Sequence, residues 1–357
     1  MKKGHWIIVL FLVSVCCFST PAKAKTIELI SPKNEATVNI TNKIIKKWWN
    51  NYKKYSSAKN DEKKDYTEPD SITLKWKKEK GCKYRVCVST NPYFKDMTVY
   101  SSKNCQEKLK RLLQDETYYW KVIGIKGDKK IVSETRCFET NDIARIVDVP
   151  NTTNVRDLGG YETDDGAEVK QGMIFRSSHF DDIESKGKKV LNKELGIKTD
   201  LDLRKDGEGK GGTKSPAELN YIHIPGAQYE RIFEKSYRKE HFIKEIKVFA
   251  DPDNYPIIFH CAYGRDRTGT LAFVINGLLG VDKKDLFRDY ELTYLTEMGS
   301  SDAKERIRRF NQFYNKMQSY ENENESLSYN IECYLLDNGV TKTEISNIKE
   351  IMLSDNA

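Results

Sequence analysis

The sequence has no second long apolar run after its first two dozen residues, so nothing beyond that point reads as a membrane span. The cysteines at 82, 87, 105 and 137 form no Cys-x2-Cys pair and have no histidine close by, which argues against a bound metal. No Gly-x-Gly-x-x-Gly or Walker spacing occurs. Residues 207–215 are rich in Gly and Lys but fit neither pattern, so they read as a solvated, mobile loop and not a nucleotide site. One-signed charge is also missing: 60 basic residues face 53 acidic ones, for a net +7. The lysines are scattered and lack the interleaved aromatics that stack bases, which excludes a nucleic-acid groove. There is no internal repeat.

What is present begins with a leader. Lys2 and Lys3 precede an apolar run at residues 7–18, and Ala22-Lys23-Ala24 gives a small-x-small cleavage site. Residues 1–24 are expected to be a signal peptide, and the protein to be secreted or associated with the cell envelope, with no stable membrane insertion after cleavage. Val15 before Cys16 does not suit lipid attachment. Losing Lys2, Lys3 and Lys23 lowers the net charge from +7 to +4.

The rest is too long for one typical domain. Residues 25–141 read as an all-β sandwich. Thr73-Leu74-Lys75-Trp76, the alternating run 84–89 and Thr117-Tyr118-Tyr119-Trp120 are strands. Lys126-Gly127-Asp128 is a hairpin turn, and residues 133–140 return as the last strand. An insertion at 41–70 interrupts this pattern. It holds an amphipathic helix at 44–55 whose Trp48 and Trp49 are expected to pack on the sandwich, then a charged loop. The four cysteines here leave two states open, one or two disulfides or four thiols. Residues 142–357 alternate strands with long helices and read as an α/β domain, with Cys333 on an apolar helical face.

One stretch of that second part carries chemistry. Ile257-Ile258-Phe259-His260 is a buried strand, Cys261 to Arg267 a tight loop, and residues 268–279 a helix. Loop amides and the helix start suit a phosphate dianion, contacted by Ala262, Tyr263, Gly264, Arg265, Asp266 and Thr268. The same field favours the thiolate of Cys261, the expected nucleophile. Arg267 offers a fork for two phosphoryl oxygens, and Thr268 a hydroxyl for the departing thiolate. His260 is expected to orient the loop by hydrogen bonding.

These residues resemble a known family. His260-Cys261-x5-Arg267-Thr268-Gly269 is similar to the signature of cysteine-dependent tyrosine and dual-specificity phosphatases. Gly264-Arg265-Asp266-Arg267 resembles the Gly-Lys-Asp-Arg loop of bacterial and fungal members, with Arg265 where Lys is usual and Tyr263 where a small residue is common. Arg156-Asp157-Leu158-Gly159-Gly160, Phe175-Arg176-Ser177, Asp202-Leu203-Arg204 and Asp289-Tyr290-Glu291-Leu292-Thr293 extend the likeness over residues 142–357. Residues 25–141 resemble a fibronectin type III domain through Trp76, Tyr118-Tyr119-Trp120 and Phe138-Glu139-Thr140.

The resemblance implies a phosphomonoester hydrolase working through phosphocysteine, with neither metal nor cofactor. Its expected substrate is phosphotyrosine on protein, with phosphoserine or phosphothreonine as further targets. The alternatives are a phosphoinositide or inositol polyphosphate, or a non-catalytic adhesion or phosphoprotein-binding role. Arg156 and Arg176 either reach substrate or brace the loop. The leaving oxygen needs a proton donor. Asp202, sharing a strand face with Asp200 and Arg204 at the carboxyl end of a strand, is the first candidate, Asp266 the second, and Glu230 a substitute. Residues 229–249 suit a lid or packing helix, and residues 301–325 a solvated insertion.

Overall fold

Alternating apolar residues build two sheets from the first third of the chain. The computed structural model describes residues 25–52, 67, 69, 71–209, 214–234, 236–299 and 302–354. The expected leader and most of the charged loop after Trp49 lie outside them. In order come β1 (Leu29–Ser31), β2 (Ala36–Val38), helix α1 (Lys43–Asn50), β3 (Ile72–Trp76), β4 (Lys83–Ser89) and β5 (Thr98–Ser102). β6 (Gln106–Leu109), β7 (Thr117–Lys126), β8 (Lys129–Val132) and β9 (Arg136–Thr140) follow. One sheet runs β1-β3-β6, the other β2-β9-β7-β4-β5 with β8 on β7. Period-two alternation turns Tyr118, Trp120 and Val122 of β7 inward, where they meet Leu74 and Trp76 of the opposite sheet in one core. Cys82, Cys87, Cys105 and Cys137 are free thiols, so no disulfide links them.

Helix α1 corrects one expectation. Asn42 caps it by accepting from the Ile44 and Ile45 amides. Its buried Ile45 and Trp49 belong to the core of the second part, not to the sandwich core.

That second part contains β10 (Arg156–Asp157), β11 (Ile174–Ser177), α2 (Ser185–Lys189), β12 (Thr199–Asp202), β13 (Asn220–His223) and α3 (Tyr237–Val248). β14 (Ile257–His260), α4 (Asp266–Leu278), α5 (Lys283–Leu292), α6 (Ala303–Gln318), α7 (Leu327–Asp337) and α8 (Lys342–Met352) complete it. Its sheet order is β10-β11-β14-β12-β13, parallel except for β10. Ile257 and Phe259 of the central strand face one core and Ile258 the other, so both faces of the sheet are covered. The strands end in register: Ser177 and Asp202 both pair with His260, and His223 pairs with Asp202. This row marks the crevice at the carboxyl edge, where open α/β sheets bind ligands.

The lid stretch divides into a 3-10 turn at Tyr229–Phe233 and then α3. α6 is no solvated insertion. Its Ile307, Phe310, Phe313 and Met317 are buried, and the Phe310 and Phe313 rings lie 5.5 and 4.9 Å from Phe273 of α4.

Candidate active site

The loop between β14 and α4 is shaped by its carbonyls. Asn154 Nδ2 donates to the Tyr263 and Gly264 oxygens, each at 3.1 Å, and Arg176 Nη2 donates to the Gly264 oxygen at 2.7 Å. The His179 amide donates to the Ala262 oxygen at 3.4 Å. With these carbonyls tied to the scaffold, the amides of residues 262–265 meet no acceptor among the described residues and are left for an anion. Gly264 sits at φ +63°, and a Cβ there would lie 2.2 Å from the Ser177 oxygen, so only glycine fits.

Cys261 is buried at the head of this loop. Burial alone would push its thiol up. The Arg267 charge together with the hydroxyl and amide of Thr268 outweighs that and brings it below its ordinary value. The buried Thr268 hydroxyl has no hydrogen-bond partner among the described residues and lies near enough to Cys261 to favour its thiolate.

Arg267 is held by a residue that the sequence reading placed in a solvated loop. Its Nη1 and Nη2 each donate to Glu208, at 2.7 Å, and Nη1 also reaches the Leu203 oxygen at 3.2 Å. Hydrogen bonding to Arg267 pulls the Glu208 carboxyl down to about 2. The Nε–H and the remaining Nη2 hydrogen, the side edge of the guanidinium, are left for two phosphoryl oxygens.

Of the two roles left open for Arg156 and Arg176, the contacts favour bracing the loop. Both are fully buried. Arg156 donates from Nε to Asp289 Oδ1 at 2.7 Å and from Nη2 to the Asp289 oxygen at 2.7 Å, while Arg176 pairs with Asp289 Oδ2. Arg156 also donates to the Asn154 side chain. Arg265 is likewise turned away from an anion. It is buried, donates to the Met298 oxygen at 3.1 Å, and lies 5.3 Å from the Tyr263 ring centre. Tyr263 itself is exposed at the rim.

Neither expected proton donor is free. Asp202 accepts from Arg204 Nε at 3.0 Å, from Arg204 Nη2 at 2.8 Å and from the Tyr221 hydroxyl at 3.0 Å. Burial pushes its carboxyl up, but His260 and Arg204 bring it down to about 2, so it stays ionised and serves as a positioning anion. Its partner His260 also contacts Asp200 at 3.1 Å; burial would lower the imidazole, but the two carboxylates raise it. In Asp266, Oδ1 accepts from the Tyr229 hydroxyl, and Oδ2 pairs with Arg306 at 2.9 Å and Arg265 at 3.3 Å. Glu230 pairs with Arg309 at 3.1 Å.

A cavity of about 310 Å³ opens beside Arg267. Lys205, Arg231 and Arg238 line it together with Asp206, Glu208 and Gln228. Sequence reasoning missed Glu208, Asp206 and the bracing role of Asp289. The signal for Glu208 was its place just past the Asp202-Leu203-Arg204 strand end, masked by a run of Gly and Lys.

The family model described as "Tyrosine phosphatase family" matches residues 147–354. Among solved structures, the core catalytic domain of the PP-IP phosphatase Siw14 from S. cerevisiae, in complex with citrate, is 18% identical; the match covers 38% of this chain and 80% of that one, with a TM-score of 0.28. A second structure of the Siw14 catalytic core is 21% identical, covering 39% and 88%, with a TM-score of 0.26. The solution structure of a fibronectin type-III domain of human fibronectin type III domain containing protein 3 is 14% identical over 38% of this chain and 98% of that one, with a TM-score of 0.21. No curated protein matches the chain. The family match spans more than half of the 357 residues and takes in the whole Cys261 to Arg267 loop, so the chain belongs to the tyrosine phosphatase family.

Proposed function

We propose that the chain hydrolyses phosphomonoesters through a phosphocysteine on Cys261. The observation that carries this is a thiol held below its ordinary range at the head of a loop whose carbonyls are tied outward. The thiolate attacks phosphorus as the phosphorus–oxygen bond breaks. Arg267 and the loop amides hold the phosphoryl oxygens, where charge is concentrated in the transition state. The leaving oxygen takes a proton, and water then cleaves the sulfur–phosphorus bond. No residue of this scheme requires a metal or cofactor.

Protein phosphotyrosine is the first substrate reading, with Tyr263 at the rim available to an aromatic ring. Inositol polyphosphates or phosphoinositides are the second, favoured by Lys205, Arg231 and Arg238 in the cavity beside Arg267. The leader motif supports export, and the two-sheet sandwich supports the fibronectin type III-like reading of residues 25–141.

The test is turnover of an aryl phosphate by the purified protein, with and without reductant, beside Cys261→Ser. Thiol-dependent turnover lost in the variant is the expected result. Silence under every reducing condition would end the enzyme reading and return the chain to a binding role. Phosphotyrosyl peptides against inositol polyphosphates then separate the two substrate readings.

A further inference from the structure

The phosphocysteine reading leaves the leaving oxygen without an assigned proton donor: the carboxylates of the loop and of the groups that hold it are engaged, and Glu245 and Asp200, which lack hydrogen-bond partners among the described residues, are fully buried away from the cavity's solvent side. Asp202 is locked to Arg204, Glu208 to Arg267, Asp266 to Tyr229 and Arg306, and Asp289 to two arginines. Asp206 is the carboxylate that lines the cavity beside Arg267 with its side chain open: that side chain is 93% accessible.

Its position is fixed by the residues around it. The Glu208 amide donates to the Lys205 oxygen at 3.0 Å, closing a β-turn with Asp206 and Gly207 at its tip. Gly207 sits at φ +75°, as the third position of a type II turn requires. Glu208 Oε2 accepts from the Lys205 amide at 3.0 Å and from Arg267 Nη1 at 2.7 Å. One carboxylate therefore closes the turn and clamps the phosphate-binding arginine. Two residues of chain place the Asp206 Cα no more than about 7 Å from that of Glu208.

A partner for the proton is also present. His223 Nε2 lies 2.8 Å from the Arg204 oxygen. A carbonyl only accepts, so Nε2 carries hydrogen, and Nδ1 faces Asp206 Oδ1 at 3.8 Å. The cavity's other charged groups are Lys205 and Glu208 on the turn itself, Arg231 and Arg238 across it, and Arg267.

We propose that Asp206, paired with His223, is the general acid and base of the reaction. This assignment rests on the phosphocysteine reading. In the first half-reaction the sulfur–phosphorus bond forms, the phosphorus–oxygen bond breaks, and the Asp206 carboxyl gives its proton to the leaving oxygen. In the second, Asp206 takes a proton from water as the new phosphorus–oxygen bond forms and the thiolate departs.

The experiment compares full-length Asp206→Asn and His223→Gln with the parent on phenyl phosphate and 4-nitrophenyl phosphate across pH. A good leaving group needs little protonation and a poor one needs much. Asp206→Asn is expected to lower kcat on phenyl phosphate by about a hundredfold, in the range for a general acid, and to lower it markedly less on 4-nitrophenyl phosphate. The alkaline limb of the kcat profile should flatten. Unchanged melting of the variant would show that the loss is chemical, and a fall shared equally by both substrates would overturn the assignment. So would loss of the limb in His223→Gln but not in Asp206→Asn, which would make the imidazole the donor. Cys261→Ser is run alongside: turnover surviving that change would remove the phosphocysteine reading, whereas a normal Asp206→Asn with a dead Cys261→Ser would remove only the acid.

Discussion

Glu208 grips the Nη edge of Arg267 with two hydrogen bonds of 2.7 Å, one to each carboxylate oxygen. The guanidinium is thus aimed before substrate arrives, so little of its side-chain freedom remains to be lost on binding. Glu208→Gln keeps the shape but loses one acceptor and the charge. It is expected to lower kcat/KM about tenfold, or roughly 1.4 kcal/mol of transition-state stabilisation. Arg267→Lys should cost more, because an ammonium cannot fork. Steady-state kinetics on an aryl phosphate check both, and a Glu208→Gln enzyme as fast as the parent would mean that the fork is not set by this pair.

Asp289 pairs with both Arg156 and Arg176, and all three side chains are buried. Burial alone would push its carboxyl up, but the two guanidiniums hold it below the usual aspartate range. Asp289→Asn leaves two buried cations short of charge, a change of the kind that costs about 3–5 kcal/mol. Denaturant unfolding measures this directly. Because Arg176 also holds the Gly264 oxygen, the rate of Cys261 alkylation at neutral pH should fall in the same variant. A destabilised variant with normal thiol reactivity would separate the brace from the loop.

Arg288 donates to the Trp49 oxygen at 2.8 Å and lies 4.8 Å from its ring centre, and Tyr52 donates to Glu291 at 2.8 Å. These contacts join α1, inserted in the sandwich sequence, to α5, which carries Asp289. Trp49→Ala empties a buried site and should cost about 3–5 kcal/mol. The loss should appear in the melting of the phosphatase part and not only in that of the sandwich. If the sandwich were merely tethered, the catalytic transition would not move.

The sequence was most legible where one local pattern settles the answer. The alternation of β7, the buried run of β14 and the Cys261 to Arg267 loop between β14 and α4 all correspond to elements of the structure. It was least legible where partners lie far apart in the chain. Trp49 reads as apolar wherever it packs, and only Arg288, 239 residues away, shows on which core it lands. Asp202 at a strand end has the look of an acid, and only the guanidinium of Arg204 folding back over it shows that it stays ionised. Glu208 sits among glycines and lysines that read as solvated, yet it holds Arg267 with both carboxylate oxygens. The helix α6 reads as polar because its charges outnumber its apolar stripe, and that stripe is enough to bury it.

Glu245 supplies the remaining prediction. It lies on α3, fully buried, and neither carboxyl oxygen has a hydrogen-bond partner among the described residues. A Cβ on Gly226, which lines the cavity, would lie 3.2 Å from its Oε1. Burial pushes this carboxyl well above its ordinary value, and the charge of Arg267 only partly opposes that. Above the ordinary glutamate value of about 4.3 the unfolded chain releases this proton while the folded one keeps it. Stability should therefore fall as pH rises, by about 1.4 kcal/mol for each unit, until the folded value is passed. Glutamine has no proton to lose there. Unfolding curves of the parent and Glu245→Gln should converge near pH 4 and separate in favour of the variant toward pH 8. Curves that stay parallel over that range would mean that Glu245 is ionised in the fold, with Arg267 as its counter-charge.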